Sequence, residues 1–122
     1  MHHLDMILVV DDELNICNNC EKILSAEGFS VYSVHNGNEC LKIINEIKYD
    51  IILLDLKLPD FDGIELLKYI RDESPDSLVI IITGYPSPES SEEAMKYGAV
   101  DYVVKPFTPD ELLESVNFAM KK

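Results

Sequence analysis

Three short aliphatic runs, MILVV at 6–10, IILL at 51–54 and LVIII at 78–82, restrict the folds open to this chain more than any other feature. Each is rich in Val and Ile, and each is nearly continuous in its apolar character. A strand with one wet face alternates apolar and polar residues. A strand that is apolar throughout is covered on both faces, the usual condition of a parallel sheet. Two weaker runs, Phe29–Val34 and Tyr102–Val104, bring the strands to five. Helical spacing fills the intervals. Ile16, Cys20, Ile23 and Leu24 mark a first helix stopped by Gly28, and Leu41, Ile44 and Ile47 or Lys48 mark a second. Asp62 with Glu65 spells a capping box for a third helix, with Ile64, Leu67 and Ile70 inward. Thr108, Pro109 and Glu111 open the last helix in the same way, turning Leu112, Val116 and Ala119 inward. The fourth helix, near Glu89–Tyr97, has only Ala94 and Met95 as clear apolar anchors, and two prolines crowd its start.

Repeated strand–helix units imply an α/β, doubly wound five-stranded parallel sheet with right-handed crossovers and five helices on both faces. A chain of 122 residues is one domain, here residues 1–122. Residues 1–5, which include His2 and His3, read as a leader or tag remnant, and the expectation is a single unit with no output domain after the last helix. The net charge of −13 argues against direct nucleic-acid binding and against anionic lipid. No apolar run approaches a membrane span and no signal-peptide pattern opens the chain, so the expectation is a cytoplasmic protein with no membrane partner. Three cysteines, an odd number without framework spacing, suit a reducing compartment.

Ligands of such sheets gather beyond the carboxyl ends of the strands. There the first strand delivers Asp11, Asp12 and Glu13, the third Asp55, the fourth Thr83 and the fifth Lys105. Clustered carboxylates repel one another unless a hard cation sits between them, and oxygen-only ligation suits Mg²⁺. Mg²⁺ with few protein carboxylates takes the rest of its shell from water and phosphate oxygens. A hydroxyl and an ammonium beside it suit the remaining oxygens of a phosphoryl group, leaving Asp55 as the nucleophile that forms an acyl phosphate.

VVDDE, LLDLKLPDFDG, TGY and KPF, in this order, resemble the receiver domain of two-component response regulators. The resemblance runs from Ile7 to the last helix. It implies the flavodoxin-like strand order 2-1-3-4-5, which is the order of that family itself. It implies that Asp55 takes a phosphoryl group from a histidine kinase or a histidine phosphotransfer protein, and that the activity beyond this is only slow self-dephosphorylation rather than enzymatic turnover. Mg²⁺ would be held by Asp12 and Asp55, by Asp11 directly or through water, and by the backbone carbonyl of Lys57. Thr83 and Lys105 would contact the phosphoryl oxygens, Thr83 and Tyr102 would form the switch, and Lys105–Pro106 would be a cis peptide. The signal would pass through the face of the fourth helix, fifth strand and fifth helix to a downstream protein or a second copy of the chain. Lys57 and Tyr85 flank the line along which water attacks the acyl phosphate; neither is a good base at neutral pH, so they would shield it. The same residue types at these positions resemble the phosphorelay intermediates of sporulation, which implies a long-lived phosphoryl group.

Three other readings fit less well. A haloacid-dehalogenase-like phosphatase needs a second Asp two residues past the nucleophile, where Lys57 stands. A pseudo-receiver, a scaffold that is never phosphorylated, does not explain intact Asp11, Asp12, Asp55, Thr83 and Lys105. A dinucleotide site lacks its G-x-G-x-x-G turn. Cys17-Asn-Asn-Cys20 spells C-x-x-C but falls inside the first helix, where it reads as packing, as does Cys40. His35 follows the second strand and is expected to face solvent.

Overall fold

Side chains alternate along a strand, so a continuously apolar strand supplies two cores at once. In the computed structural model, which describes residues 5–121, the sheet does this. The elements run β1 (Met6–Val10), α1 (Leu14–Ser25), β2 (Ser30–Val34), α2 (Gly37–Glu46), β3 (Ile51–Asp55), α3 (Gly63–Glu73), β4 (Leu78–Thr83), α4 (Pro88–Lys96), β5 (Asp101–Val104) and α5 (Pro109–Met120). All pairings are parallel, in the order β2-β1-β3-β4-β5. Leu8, Val10, Ile52, Leu54, Val79 and Ile81 pack under α2, α3 and α4 through Cys40, Ile44, Leu67, Ile70 and Ala94. Ile7, Val9, Ile51, Leu53, Ile80 and Ile82 pack under α1 and α5 through Cys17, Cys20, Leu24, Leu112 and Val116. β1 lies between β2 and β3, so its outgoing helix and that of β2 cover opposite faces. The chain therefore opens a crevice beyond the carboxyl ends of β1 and β3.

The helix ends show where local signals hold and where they do not. At α5 the capping box is complete: the Glu111 N–H donates to Thr108 Oγ1 at 3.1 Å, and the Thr108 N–H donates to Glu111 Oε1 at 2.7 Å. Gly28, at φ +96°, follows α1 and stops it in a conformation that a side chain would strain. The capping box expected at α3 is absent. Asp62 occupies the N-cap, but its side chain makes no capping bond. The loop after β3 folds back instead, so the Gly63 N–H donates to the Leu56 carbonyl at 2.9 Å. A Cβ on Gly63 would stand 2.3 Å from Leu56 Cα, an approach only glycine permits.

Two apolar assignments also shift. Met95 is 47 % exposed, and Tyr97 rather than Met95 joins Ala94 beneath α4. In α1 the fully covered positions are Cys17, Cys20 and Leu24, with Ile16 and Ile23 at the margins. His35 is half-exposed beside Glu39, on the solvent side as expected. His2 and His3 lie outside the described residues. No helix among the described residues is long and apolar enough to cross a membrane.

Candidate functional site

β1 and β3 end side by side, and this register brings the acids together. Asp11 extends β1 by one pairing, its N–H donating to the Val34 carbonyl at 3.1 Å, while Asp55 is the last residue of β3. One carboxylate oxygen from each of Asp11, Asp12 and Asp55 lies within 4.8 Å of the others. Asp11 and Asp55 are buried and Asp12 is exposed at the mouth. The Lys105 ammonium reaches in from the end of β5, 2.8 Å from Asp11 Oδ2, 2.9 Å from Glu13 Oε1 and 3.4 Å from Asp55 Oδ2. Three acids thus share one cation. Burial, then the charge of Asp11, push the Asp55 carboxyl up to about 6, against the lowering effects of Lys105 and the Lys57 N–H. Burial would lower Lys105, but its bonds to Asp11 and Glu13 outweigh that and raise it.

The donor set fits a hard divalent cation. Every ligand atom offered is oxygen, the two buried carboxylates are short of positive charge, and the exposed Asp12 leaves the mouth open to water or phosphate oxygens. Thr83 ends β4 buried at the same edge, its Oγ1 accepting the Tyr85 N–H at 3.0 Å. The Lys105 N–H donates to the Thr83 carbonyl at 2.7 Å, tying the ends of β4 and β5 together, and the Lys105–Pro106 peptide is cis. The Lys57 N–H lies 3.3 Å from Asp55 Oδ1, and the Lys57 ammonium sits 4.4 Å above the Tyr85 ring. These two side chains, expected together to flank the acceptor, form one cation–π pair.

Tyr102 is not in the crevice. It pairs with Ile81, two residues before Thr83, and so stands on the α4 face of the sheet. Its hydroxyl lies 2.7 Å from Ser90 Oγ in the first turn of α4. Beside it, Asp101, Val104, Glu111, Glu114 and Phe118 line a groove of about 590 Å³ between β5 and α5.

Glu13 and Ser90 are residues to which the sequence assigned no role in the site. The first was visible in VVDDE as a third acid at the strand end, but its pairing with Lys105 spans 92 positions and has no local signal. The cysteines do no chemistry of this kind. All three are free and buried, and burial pushes the Cys20 and Cys40 thiols up to about 12, far from the thiolate range.

An open, doubly wound parallel sheet with an acid cluster and one part-buried lysine beyond the carboxyl ends of its strands belongs to the class of α/β domains that bind ligands at that edge. Comparison narrows the class to one family. Residues 7–117 match the family model of the response regulator receiver domain. The regulatory protein AtoC of Escherichia coli (strain K12) is 38% identical over 112 residues, which cover 92% of this chain and 24% of AtoC. Among solved structures, the CheY-like response regulator receiver domain protein of Methanospirillum hungatei JF-1 superposes with a TM-score of 0.93 at 35% identity, covering 98% of this chain and 95% of that one. A response regulator of Burkholderia pseudomallei, solved with a phosphorylated aspartic acid, a calcium ion and citrate, superposes with a TM-score of 0.87 at 30% identity over 96% of this chain and 69% of that one. The chain belongs to the receiver domain family of two-component response regulators. It spans about a quarter of the length of curated relatives such as AtoC.

Proposed function

We propose that Asp55 is the phosphoacceptor, and that the chain receives its phosphoryl group from a phosphohistidine on a kinase or phosphotransfer protein. The observation that carries this reading is a buried, charge-starved Asp55 carboxylate 3.4 Å from the Lys105 ammonium, with Asp11 and Asp12 beside it. In the transfer, an Asp55 oxygen forms the new bond to phosphorus and the nitrogen–phosphorus bond breaks, releasing neutral imidazole once it takes up a proton. Lys105 and Thr83 are suited to the phosphoryl oxygens, one as a charge and the other as a hydroxyl donor. Mg²⁺, held by Asp11, Asp12, Asp55 and the Lys57 carbonyl, would offset the repulsion between the carboxylates and the incoming phosphoryl group. The phosphatase alternative gains nothing from the geometry, since Lys57, lying on Tyr85, stands where a second aspartate would be required as general acid. The scaffold alternative leaves the buried carboxylates without a purpose.

The site of action is read as cytoplasmic, and the output as the face formed by α4, β5 and α5. That face presents Val104 and Phe118 among Asp101, Glu111 and Glu114, with Glu89, Glu92 and Glu93 on the adjoining helix. Two copies of so acidic a face would repel, so its complement is a protein segment bearing Lys or Arg around an apolar anchor. The acceptor assignment is tested by incubating wild type and Asp55→Asn with acetyl phosphate, with Mg²⁺ or with chelator, and weighing the intact proteins. One phosphoryl group is expected on the wild type with Mg²⁺ and none in the other samples. Equal metal-dependent labelling of Asp55→Asn would overturn the assignment.

A further inference from the structure

The first turn of α4 is capped differently from that of α5. Ser87 is its N-cap, accepting the Ser90 N–H on Oγ at 3.0 Å. In a capping box the N3 side chain returns the favour by accepting the N-cap N–H, as Glu111 does for Thr108 in α5. In α4, N3 is Ser90, and its hydroxyl donates to the Ser87 carbonyl at 3.2 Å rather than accepting the Ser87 N–H. That N–H points to the phenol oxygen of Tyr102, 3.4 Å away. The Tyr102 hydroxyl in turn lies 2.7 Å from Ser90 Oγ. The protons can be assigned without conflict. The Tyr102 and Ser87 hydroxyls donate to Ser90 Oγ, Ser90 donates to the Ser87 carbonyl, and the phenol oxygen remains free to accept from Ser87 N–H.

We propose that Tyr102 of β5 supplies the missing arm of the α4 capping box, with Ser90 as the positioning residue that holds its hydroxyl there. The helix start and the tyrosine then change state together. Burial makes this consequential: Ala94 is the one fully covered residue of α4, so little apolar packing holds the helix if its cap is lost. Swinging the ring away removes the acceptor of Ser87 N–H and the partner of Ser90 in one motion. The same segment begins at Thr83, whose hydroxyl holds the Tyr85 N–H, so the crevice edge and the helix cap lie four residues apart. This proposal concerns the capping itself; its use in signalling rests on Asp55 being the phosphoacceptor.

Amide exchange on the intact protein without metal or phosphodonor tests the capping. Ser90→Ala and Tyr102→Phe are each expected to speed exchange across residues 87–92 about five- to tenfold, the loss of roughly one hydrogen bond. The double variant should be no faster than either single one, and Ser90→Thr should match wild type. Ser90→Glu, which writes a local S-x-x-E box, should restore slow exchange even alongside Tyr102→Phe. Unchanged exchange in Tyr102→Phe, additive effects in the double variant, or failure of Ser90→Glu to rescue would overturn the proposal. A second arm adds Mg²⁺ and beryllofluoride. Wild type should change both around Asp55 and in the first turn of α4, whereas Ser90→Glu should change around Asp55 alone. Equal α4 responses in both proteins would also overturn it. No response around Asp55 in wild type would instead count against the acceptor reading and leave the first arm standing.

Discussion

Asp55 carries its cost in the folded state, and the sign of that cost is measurable. A carboxyl raised from its ordinary 3.8 to about 6 binds its proton more tightly when folded than when unfolded. It therefore destabilises the metal-free fold at pH above 6, progressively less as the pH falls from 6 toward 4, and not at all once both states are protonated. Asp55→Asn removes the penalty. In chelator at pH 7.5 the variant is expected to be more stable by about 1–3 kcal/mol in urea titration, with most of the gain lost by pH 4. A gain that persisted unchanged at pH 4 would assign it to something other than ionisation. Lys57 and Tyr85 belong to the same scale. Their cation–π contact is the feature on which the proposed shielding of the acceptor rests. Lys57→Asn, Tyr85→Ala and the double variant should each lose phosphate faster than wild type at one Mg²⁺ concentration, and about 1.4 kcal/mol of lost shielding is enough for tenfold. Identical decay in all four proteins would end the shielding idea.

Between elements, the loop after Asp55 reaches further than its neighbours. Asp60 Oδ1 and Oδ2 accept the Gly37 and Asn38 N–H groups at 2.7 and 2.9 Å, so a carboxylate from the β3–α3 loop caps the start of α2. Phe61 closes the same junction, and a Cβ on Gly37 would fall 2.1 Å from its ring. Asp60→Ala is expected to cost about 1–2 kcal/mol of stability, the usual worth of a lost cap, with faster exchange at residues 37–40. Stability equal to wild type would show that Asn36, which caps Glu39 N–H at 2.8 Å, suffices alone. A local pattern marked Asp62 as the capping residue of this loop. Backbone contacts at Leu56 and Gly63 took that role, and a different aspartate of the loop capped a different helix.

For the molecule as a whole, charge and metal are linked. A net charge of −13 and the clustered carboxylates of Asp11, Asp12 and Asp55 suit a divalent cation, and a ligand that binds only the folded state would stabilise it by mass action. Millimolar Mg²⁺ should raise the thermal midpoint of wild type, and Asp12→Ala, which removes an exposed ligand without opening the core, should abolish most of that rise. An undiminished rise in Asp12→Ala would remove Asp12 from the metal site.

Strand count, the doubly wound class, and the arrival of Asp11, Asp12, Asp55, Thr83 and Lys105 at one sheet edge were all readable from the chain. The reason is that side-chain period and strand ends are local properties: an aliphatic run of five or six residues declares both its covered faces and where it stops. The strand order came from family resemblance. Tertiary structure alone decided the pairing of Glu13 with Lys105, the stacking of Lys57 on Tyr85, the capping of α2 by Asp60, and the reach of Tyr102 into the first turn of α4. Each joins residues from different elements through side-chain rotamers and loop paths. Those settle only when the sheet, its helices and their connections pack together, and no periodicity along the chain encodes them.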